Sequence, residues 1–216
     1  MNKFLDTLYK ETATVGMFAS KDLKKYDKKN GSTTYGEISR RGVEKFIEVL
    51  SPKFLNETSV FYDIGSGTGK MVLHIAEKVG CEATGIEVVE ERHIIAGNKK
   101  VAYENEYPNI SKAMFINDKF QNVPIADATV IYCDNTLHNI NFMKDIVKAV
   151  QPGCIIACVK HIQGVEYTPI EGIEGVGVRI VDGVKPWSYK FKAPYGWSYR
   201  QTGYIYLYQV KEGDLK

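Results

Sequence analysis

Apolar residues recur at helical spacing near the start of the chain. Phe4, Leu5, Leu8 and Tyr9 predict a weakly amphipathic helix over residues 2–12. A second stripe, Val43, Phe46, Ile47 and Leu50, predicts a helix over Ser39–Leu50, stopped by Pro52. From Ser59 the pattern changes. Short apolar runs, each the length of a buried strand, now alternate with helical stretches. The strands are expected at Ser59–Asp63, Glu82–Glu87, Ala113–Ile116, Ala128–Cys133 and Cys154–Lys160. The helices between them are expected at Lys70–Val79, Glu90–Tyr107 and Asn141–Val150, the last stopped by Gln151-Pro152-Gly153. Such alternation predicts an α/β fold with a mainly parallel, doubly wound sheet. After His161 the pattern changes again. Glycines at 164, 172, 175, 177 and 183 precede two aromatic-rich segments, Trp187–Phe191 and Tyr195–Tyr208. Tyr204–Val210 alternates and reads as a terminal strand.

Composition adds bounds. The 216 residues suffice for one α/β domain with short additions. Apolar residues make up 44% and charged residues 25%, ordinary for a globular chain. A net charge of +2 gives no global attraction to nucleic acid, so any basic patch is local. Lys21, Lys24, Lys25, Lys28 and Lys29 form one such patch, either a solvated linker or a contact for a phosphate backbone. Cys81, Cys133, Cys154 and Cys158 lack metal-ligand spacing and lie in or beside strands, where cysteine acts as a small hydrophobe. No metal site is expected. The N-terminus is too polar for a signal peptide and no apolar run is long enough to span a membrane, which predicts an intracellular, reduced location.

The chemistry concentrates in Val60–Lys70, VFYDIGSGTGK. A buried strand runs into glycines at 65, 67 and 69 and then into a helix, the arrangement of a nucleotide-cofactor site. The spacing D-x-G-x-G-x-G does not fit the dinucleotide fingerprint. Asp63 at the strand end suits an amine-bearing ligand rather than a pyrophosphate. S-adenosylmethionine, with an ammonium, a carboxylate, a sulfonium and no phosphate, matches these features. Glu87 lies 24 positions after Asp63 at the end of the second strand, where an acidic residue accepts ribose hydroxyls.

Four stretches together resemble a known family. Tyr35-Gly36-Glu37 stands upstream of DIGSGTGK, Glu87 ends the second strand, VIYCDN ends the fourth, and the tail reads YGWSYRQTGYIYLY. The chain resembles the non-SET-domain histone-lysine methyltransferases of the disruptor-of-telomeric-silencing (Dot-one) type, over roughly Thr33 to Val210. The resemblance implies a Rossmann-like, seven-stranded methyltransferase sheet with a small N-terminal helical and loop extension. Residues 1–52 would carry a lid over the cofactor and residues 53–216 the catalytic domain, as one folding unit. It also implies S-adenosylmethionine as cofactor and a lysine on the histone core of a nucleosome as acceptor; the location expected is nuclear if that acceptor holds and otherwise cytoplasmic, and the chain is expected to be a monomer.

The implied roles fall on particular residues. Tyr35 and Glu37 would form the lid. Asp63, Gly65, Ser66, Gly67, Gly69 and Lys70 would hold the methionine part, Glu87 the ribose, and Asp118 and Phe120 the adenine. Asn135 would sit near the methyl donor. Either Trp197 or Tyr199 would line the acceptor channel, with Tyr204 or Tyr206 as partner. An aromatic tube lowers the pKa of an approaching lysine by desolvation while attracting its cation. The plain alternatives are a packing role for Tyr35, a turn role for Asp118, and simple sheet packing for the tail tyrosines. The sequence departs from the family pattern at Ile38, Lys70 and Asp134, where a small hydroxyl residue, Gln and Asn are usual. A methyltransferase acting on a non-histone protein, nucleic acid or small molecule, and a non-catalytic binding module, are the competing readings. The adenine version is weakened because no Pro-Pro follows Asp134-Asn135.

Overall fold

In a computed structural model, which describes residues 3–10, 37–136, 138–160, 166–168, 177–179, 189–194 and 202–211, the two N-terminal stripes form helices. Helix α1 (Lys3–Leu8) buries Phe4, Leu5 and Leu8. Helix α2 (Arg40–Leu50) is capped by Ser39, whose side-chain oxygen accepts from the Gly42 N–H at 3.2 Å. The chain then alternates as expected through β1 (Val60–Ile64), α3 (Lys70–Val79), β2 (Glu82–Ile86), α4 (Glu90–Tyr103), β3 (Ala113–Ile116), β4 (Val130–Cys133), α5 (Ile140–Ala149) and β5 (Ile155–Cys158). Four further strands follow: β6 (Glu166–Thr168), β7 (Gly177–Arg179), β8 (Tyr189–Pro194) and β9 (Thr202–Gln209).

Some ends differ from the sequence expectation, each for an identifiable physical reason. Helix α4 stops at Tyr103 rather than Tyr107. The chain turns there and sets both rings against Phe4, with centroids 5.1 and 5.0 Å away. Strand β4 begins two residues late because the Ala128 N–H closes a turn on the Ile125 carbonyl. Helix α5 starts one residue early because Asn139 caps it, accepting from the Phe142 N–H at 3.0 Å. The β6–β7 hairpin forms its own antiparallel ladder in the stretch where the sequence showed only recurring glycines.

Among the described residues, seven strands form one sheet in the order β3-β2-β1-β4-β5-β9-β8. The first five are parallel, and β9 and β8 add antiparallel to the edge at β5. The order reverses between β1 and β4, so the crevice at their carboxyl ends is the natural ligand position of an open α/β sheet. A single register row crosses the sheet at that level: Ile86, Ile64, Cys133, Cys158 and Tyr206. The terminal strand therefore meets the same rim as the glycine turn.

Alternate strand residues feed two apolar layers. Phe61, Val130, Tyr132, Ile155 and Ala157 face α1, α2 and α3. Tyr62, Ile64, Ile131, Cys133, Ile156 and Cys158 face the side that receives Met143, Ile146 and Val147 of α5. Phe46 of α2 meets Phe61 and Tyr132 edge-on, both at 6.1 Å. Full burial of a side chain such as Phe46 or Phe61 contributes about 1.5–3 kcal/mol. Helix α3 is buried from Lys70 through Ala76, so even His74 is enclosed. Burial holds the His74 imidazole neutral, its pKa pushed down to about 3, and it shares a 2.9 Å hydrogen bond with the Tyr9 hydroxyl. The four cysteines are free and buried.

Candidate functional site

Strand β1 delivers Asp63 to the carboxyl edge of the sheet, and the chain then turns sharply. The turn is tied to the end of β2, where the Gly65 and Ser66 N–H groups both donate to the Ile86 carbonyl, at 2.8 and 3.1 Å. Gly69, the N-cap of α3, sits at φ +77°, a left-handed conformation costly for other residues. A Cβ there would lie 2.6 Å from the Phe115 ring and 2.8 Å from the Ala96 Cβ. Gly65 is also left-handed, at φ +84°, but nothing lies within 4 Å of its Cβ position. The two glycines thus serve different ends: Gly69 lets α3 approach β3 and α4, whereas Gly65 leaves open space above the strand.

Glu87, just past β2, is 5% exposed. One carboxylate oxygen accepts from the Gly67 N–H and the other from the Val89 N–H, each at 2.8 Å. Glu87 therefore stiffens the glycine turn, and each oxygen retains acceptor capacity for a hydroxyl. Burial raises its pKa, against the backbone N–H groups that favour the anion.

The cleft above the turn is lined by Glu37, Ile38, Asp63, Gly65, Ser66, Gly67, Lys70, Met71, Tyr132 and Asp134. It encloses about 420 Å³, counting space open to solvent. Asp63 is 4% exposed, and its pKa is pushed up to about 8, first by burial and then by the charges of Glu87 and Asp134. Such a carboxyl calls for a cation to offset its ionised form. Ser66 Oγ is buried without a hydrogen-bond partner among the described residues. Both features fit a polar ligand carrying a positive charge. On the lid side, Lys70 Nζ pairs with Glu37 at 2.8 Å, and the Thr68 hydroxyl reaches the same carboxylate at 3.3 Å. A cation in the first turn of a helix opposes the helix dipole, and Glu37 offsets it.

The fold thus brings Glu37, Asp63, Gly65, Ser66, Gly67 and Lys70 around one cleft, with Gly69 and Glu87 supporting it from below. Asn135 is buried, but its amide is engaged elsewhere. It donates to the Lys160 carbonyl at 2.9 Å and accepts from the Lys160 N–H at 2.7 Å, joining the exits of β4 and β5. Asp118 is exposed and makes local contacts to the Lys119 N–H and the Asn122 amide. Phe120 is buried in the α5-side layer, its ring 4.7 Å from that of Phe142. His138 stacks on the same Phe142 at 3.7 Å. Tyr206 is half-buried on β9 opposite Cys158. The Tyr204 backbone lies on β9 opposite Lys192, and its side chain is outside the described residues. Tyr35, Trp197, Tyr199 and Lys21, Lys24, Lys25, Lys28 and Lys29 also lie outside them.

Two lining residues were not singled out by the sequence. Tyr132 is the register partner of Asp63 across β1 and β4, and Met71 occupies the first turn of α3. The signal for Tyr132 was its place as the penultimate residue of a buried strand, which is informative only once the strand order is known.

The profile of the family described as histone methylation protein DOT1 matches residues 14–204. The chain belongs to that family. A DOT1 relative in Candida glabrata, a histone-lysine N-methyltransferase described as H3 lysine-79 specific, is 27% identical over 184 residues, covering 78% of this chain and 27% of that one. A phosphoethanolamine N-methyltransferase of Plasmodium falciparum is 36% identical over 77 residues, covering 32% of this chain and 29% of that one. The chain thus spans under a third of the length of either relative. A solved RNA methyltransferase from Salinibacter ruber, in complex with S-adenosyl-L-homocysteine, shares the fold, with a TM-score of 0.53 at 18% identity, covering 79% of this chain and 90% of that one. The three are described by different acceptors: a histone lysine, phosphoethanolamine and RNA.

Proposed function

We propose that the chain is an S-adenosylmethionine-dependent protein-lysine N-methyltransferase that modifies a lysine on the histone core of nucleosomes. The observation that carries this reading is membership of the DOT1 family across residues 14–204, joined to a cleft that unites a buried Asp63 with the glycine turn. Bound there, S-adenosylmethionine would supply a methyl group activated by its sulfonium. Asp63 would pair with the ammonium, the backbone of Gly65–Gly69 would follow the methionine part, and Glu87 would accept the ribose hydroxyls. Glu37 and Lys70 would close the lid side.

The acceptor lysine meets its partners at the rim. An ordinary lysine has a pKa of about 10.4 and is protonated at neutral pH. Desolvation disfavours that charge, and aromatic faces compensate the approaching cation. Tyr206, in the register row of Ile64 just before the glycine turn, and the tail aromatics Trp197, Tyr199 and Tyr204 are the residues proposed for this channel. Asp118 and Phe120 remain candidates for the adenine, with Asp118 equally suited to its local turn. A histone substrate would make the protein nuclear. No helix among the described residues is long and apolar enough to cross a membrane.

Labelled S-adenosylmethionine offered with nucleosomes, free histones and DNA in parallel tests the reading. Label on a histone lysine of intact nucleosomes is expected, and label on DNA alone would sink it. Replacing Lys24, Lys25, Lys28 and Lys29 with Ala should weaken nucleosome binding and flatten its salt dependence by about one unit of slope per lost phosphate contact. An unchanged salt titration would remove these lysines from the interface.

A further inference from the structure

Asp134 adds a second carboxylate to the cleft beside that of Asp63. The residue immediately follows β4, lines the cleft and is half-buried. Its side chain is held in place, one oxygen accepting from the Thr136 N–H at 3.0 Å. It lies close enough to Asp63 to raise the pKa of that carboxyl.

The charges lining the cleft are unequal. Among the described residues, three carboxylates, Glu37, Asp63 and Asp134, line the cleft with one cation, Lys70. Lys70 is paired with Glu37 at 2.8 Å, which neutralises the lid side. Asp63 and Asp134 remain, on neighbouring strands at the topological switch. On the reading proposed above, Asp63 meets the ammonium of the amino-acid end. That ammonium is present in S-adenosylmethionine and in its product, S-adenosylhomocysteine, so Asp63 cannot distinguish them. The two ligands differ by a methyl group and a charge: the cofactor is a sulfonium with net charge +1, and the product is a neutral thioether. With the ribose at Glu87 beside β2 and the amino-acid end at β1, β4 is left to the reacting side of the ligand.

We propose that Asp134 is a specificity-determining residue that makes the cleft prefer the cationic cofactor over the neutral product. Its carboxylate attracts the sulfonium while the methyl group is present and loses that attraction once the methyl has gone. The product is then held less tightly than the cofactor that replaces it. A neutral asparagine at this position supplies a dipole but no such difference. The proposal rests on the S-adenosylmethionine reading and extends it to exchange of cofactor for product.

Isothermal titration of the full chain at low and high salt, with three ligands, tests it. The ligands are S-adenosylmethionine, S-adenosylhomocysteine and sinefungin, which carries an amine in place of the sulfonium methyl. In the unaltered chain the two cationic ligands should bind roughly tenfold more tightly than the product, the size of one partly screened charge pair, and the ratio should shrink as salt rises. Asp134→Asn should bring the ratio close to one, mainly by weakening the cationic ligands, and Asp134→Glu should restore most of it. Equal affinities in the unaltered chain would overturn the proposal. So would a ratio that Asp134→Asn leaves unchanged, or a uniform weakening of all three ligands by that substitution. Binding of none of the three to the unaltered chain would instead refute the S-adenosylmethionine reading, and the proposal with it.

Discussion

Asp63→Asn should stabilise the ligand-free chain at alkaline pH and abolish its capacity for the cofactor. The substitution keeps the side chain's shape and removes its charge. In the folded chain Asp63 ionises only near pH 8, against an ordinary value of 3.8, because it is buried and stands near Glu87 and Asp134. Between these values the folded state holds a proton that the unfolded state has released, so stability falls as pH rises from about 4 towards 8. At 1.36 kcal/mol per unit, the loss between pH 5 and pH 8 is at most about 4 kcal/mol. Water entering the cleft reduces it to on the order of 1–3 kcal/mol. Urea unfolding of both proteins from pH 5 to pH 8.5 measures this directly. The stability advantage of the variant should grow with pH across that window, since groups common to both largely cancel in the difference. On the proposed reading the cofactor's ammonium would replace the proton on Asp63, so saturating S-adenosylmethionine should flatten the profile of the unaltered chain and leave that of Asp63→Asn alone. Parallel pH profiles for the two proteins would refute the reasoning, whatever the activity of the variant.

Three further substitutions probe the supports of the site. Glu37→Ala removes the carboxylate paired with the buried Lys70 and should cost about 3 kcal/mol, with Glu37→Ala/Lys70→Met costing less than the single change; equal losses by urea unfolding would show that the pair is not coupled. Gly69→Ala meets both a left-handed backbone and a clash with Phe115 and should cost about 2–4 kcal/mol, whereas Gly65→Ala, strained but unobstructed, should cost only about 1 kcal/mol. Thermal melts that rank the two the other way would contradict the close approach of α3 to β3. Asn135→Ala frees the Lys160 backbone groups and should cost about 1–3 kcal/mol. Hydrogen exchange at the Lys160 amide should quicken at the same time, and unchanged exchange would mean that the clamp between the β4 and β5 exits is not formed in solution.

Features that lie within one strand–turn–helix unit were legible because their pattern is local. Asp63, the glycine spacing and the start of α3 are consecutive, and Glu87 follows after one crossover whose length is set by a single helix. The same holds for the β-α alternation, which required only that the period of apolar residues change along the chain. Ends of elements were less legible. Tyr103 ends α4 because Phe4, nearly a hundred positions away, provides a surface for its ring. Side chains that cross between elements were illegible in the same way. The family resemblance sets Asn135 near the methyl donor, at the exit of a buried strand. Which way its amide turns depends on Lys160, and that becomes a neighbour only when β5 pairs with β4.

Asp134 and Asn135 show how one pair of adjacent positions can divide this work. Both leave β4 at the topological switch, yet Asn135 turns towards β5 and secures the strand exits, while Asp134 lines the cleft. An amide is suited to the first position because it donates and accepts at once, matching both the N–H and the carbonyl of Lys160. A carboxylate there could take the N–H but would face the carbonyl with a second acceptor. At the cleft position the demand is different: nothing among the described residues requires a donor, and a negative charge acts on any cationic ligand beside Asp63. Exchanging the two residues should therefore not be neutral. Asp134→Asn/Asn135→Asp preserves composition and net charge, but it places the charge against the Lys160 carbonyl and removes it from the cleft. It should lose stability as Asn135→Ala does, and with it the local rigidity that holds the β5 exit, and the tail strand paired to β5, at the level of the glycine turn.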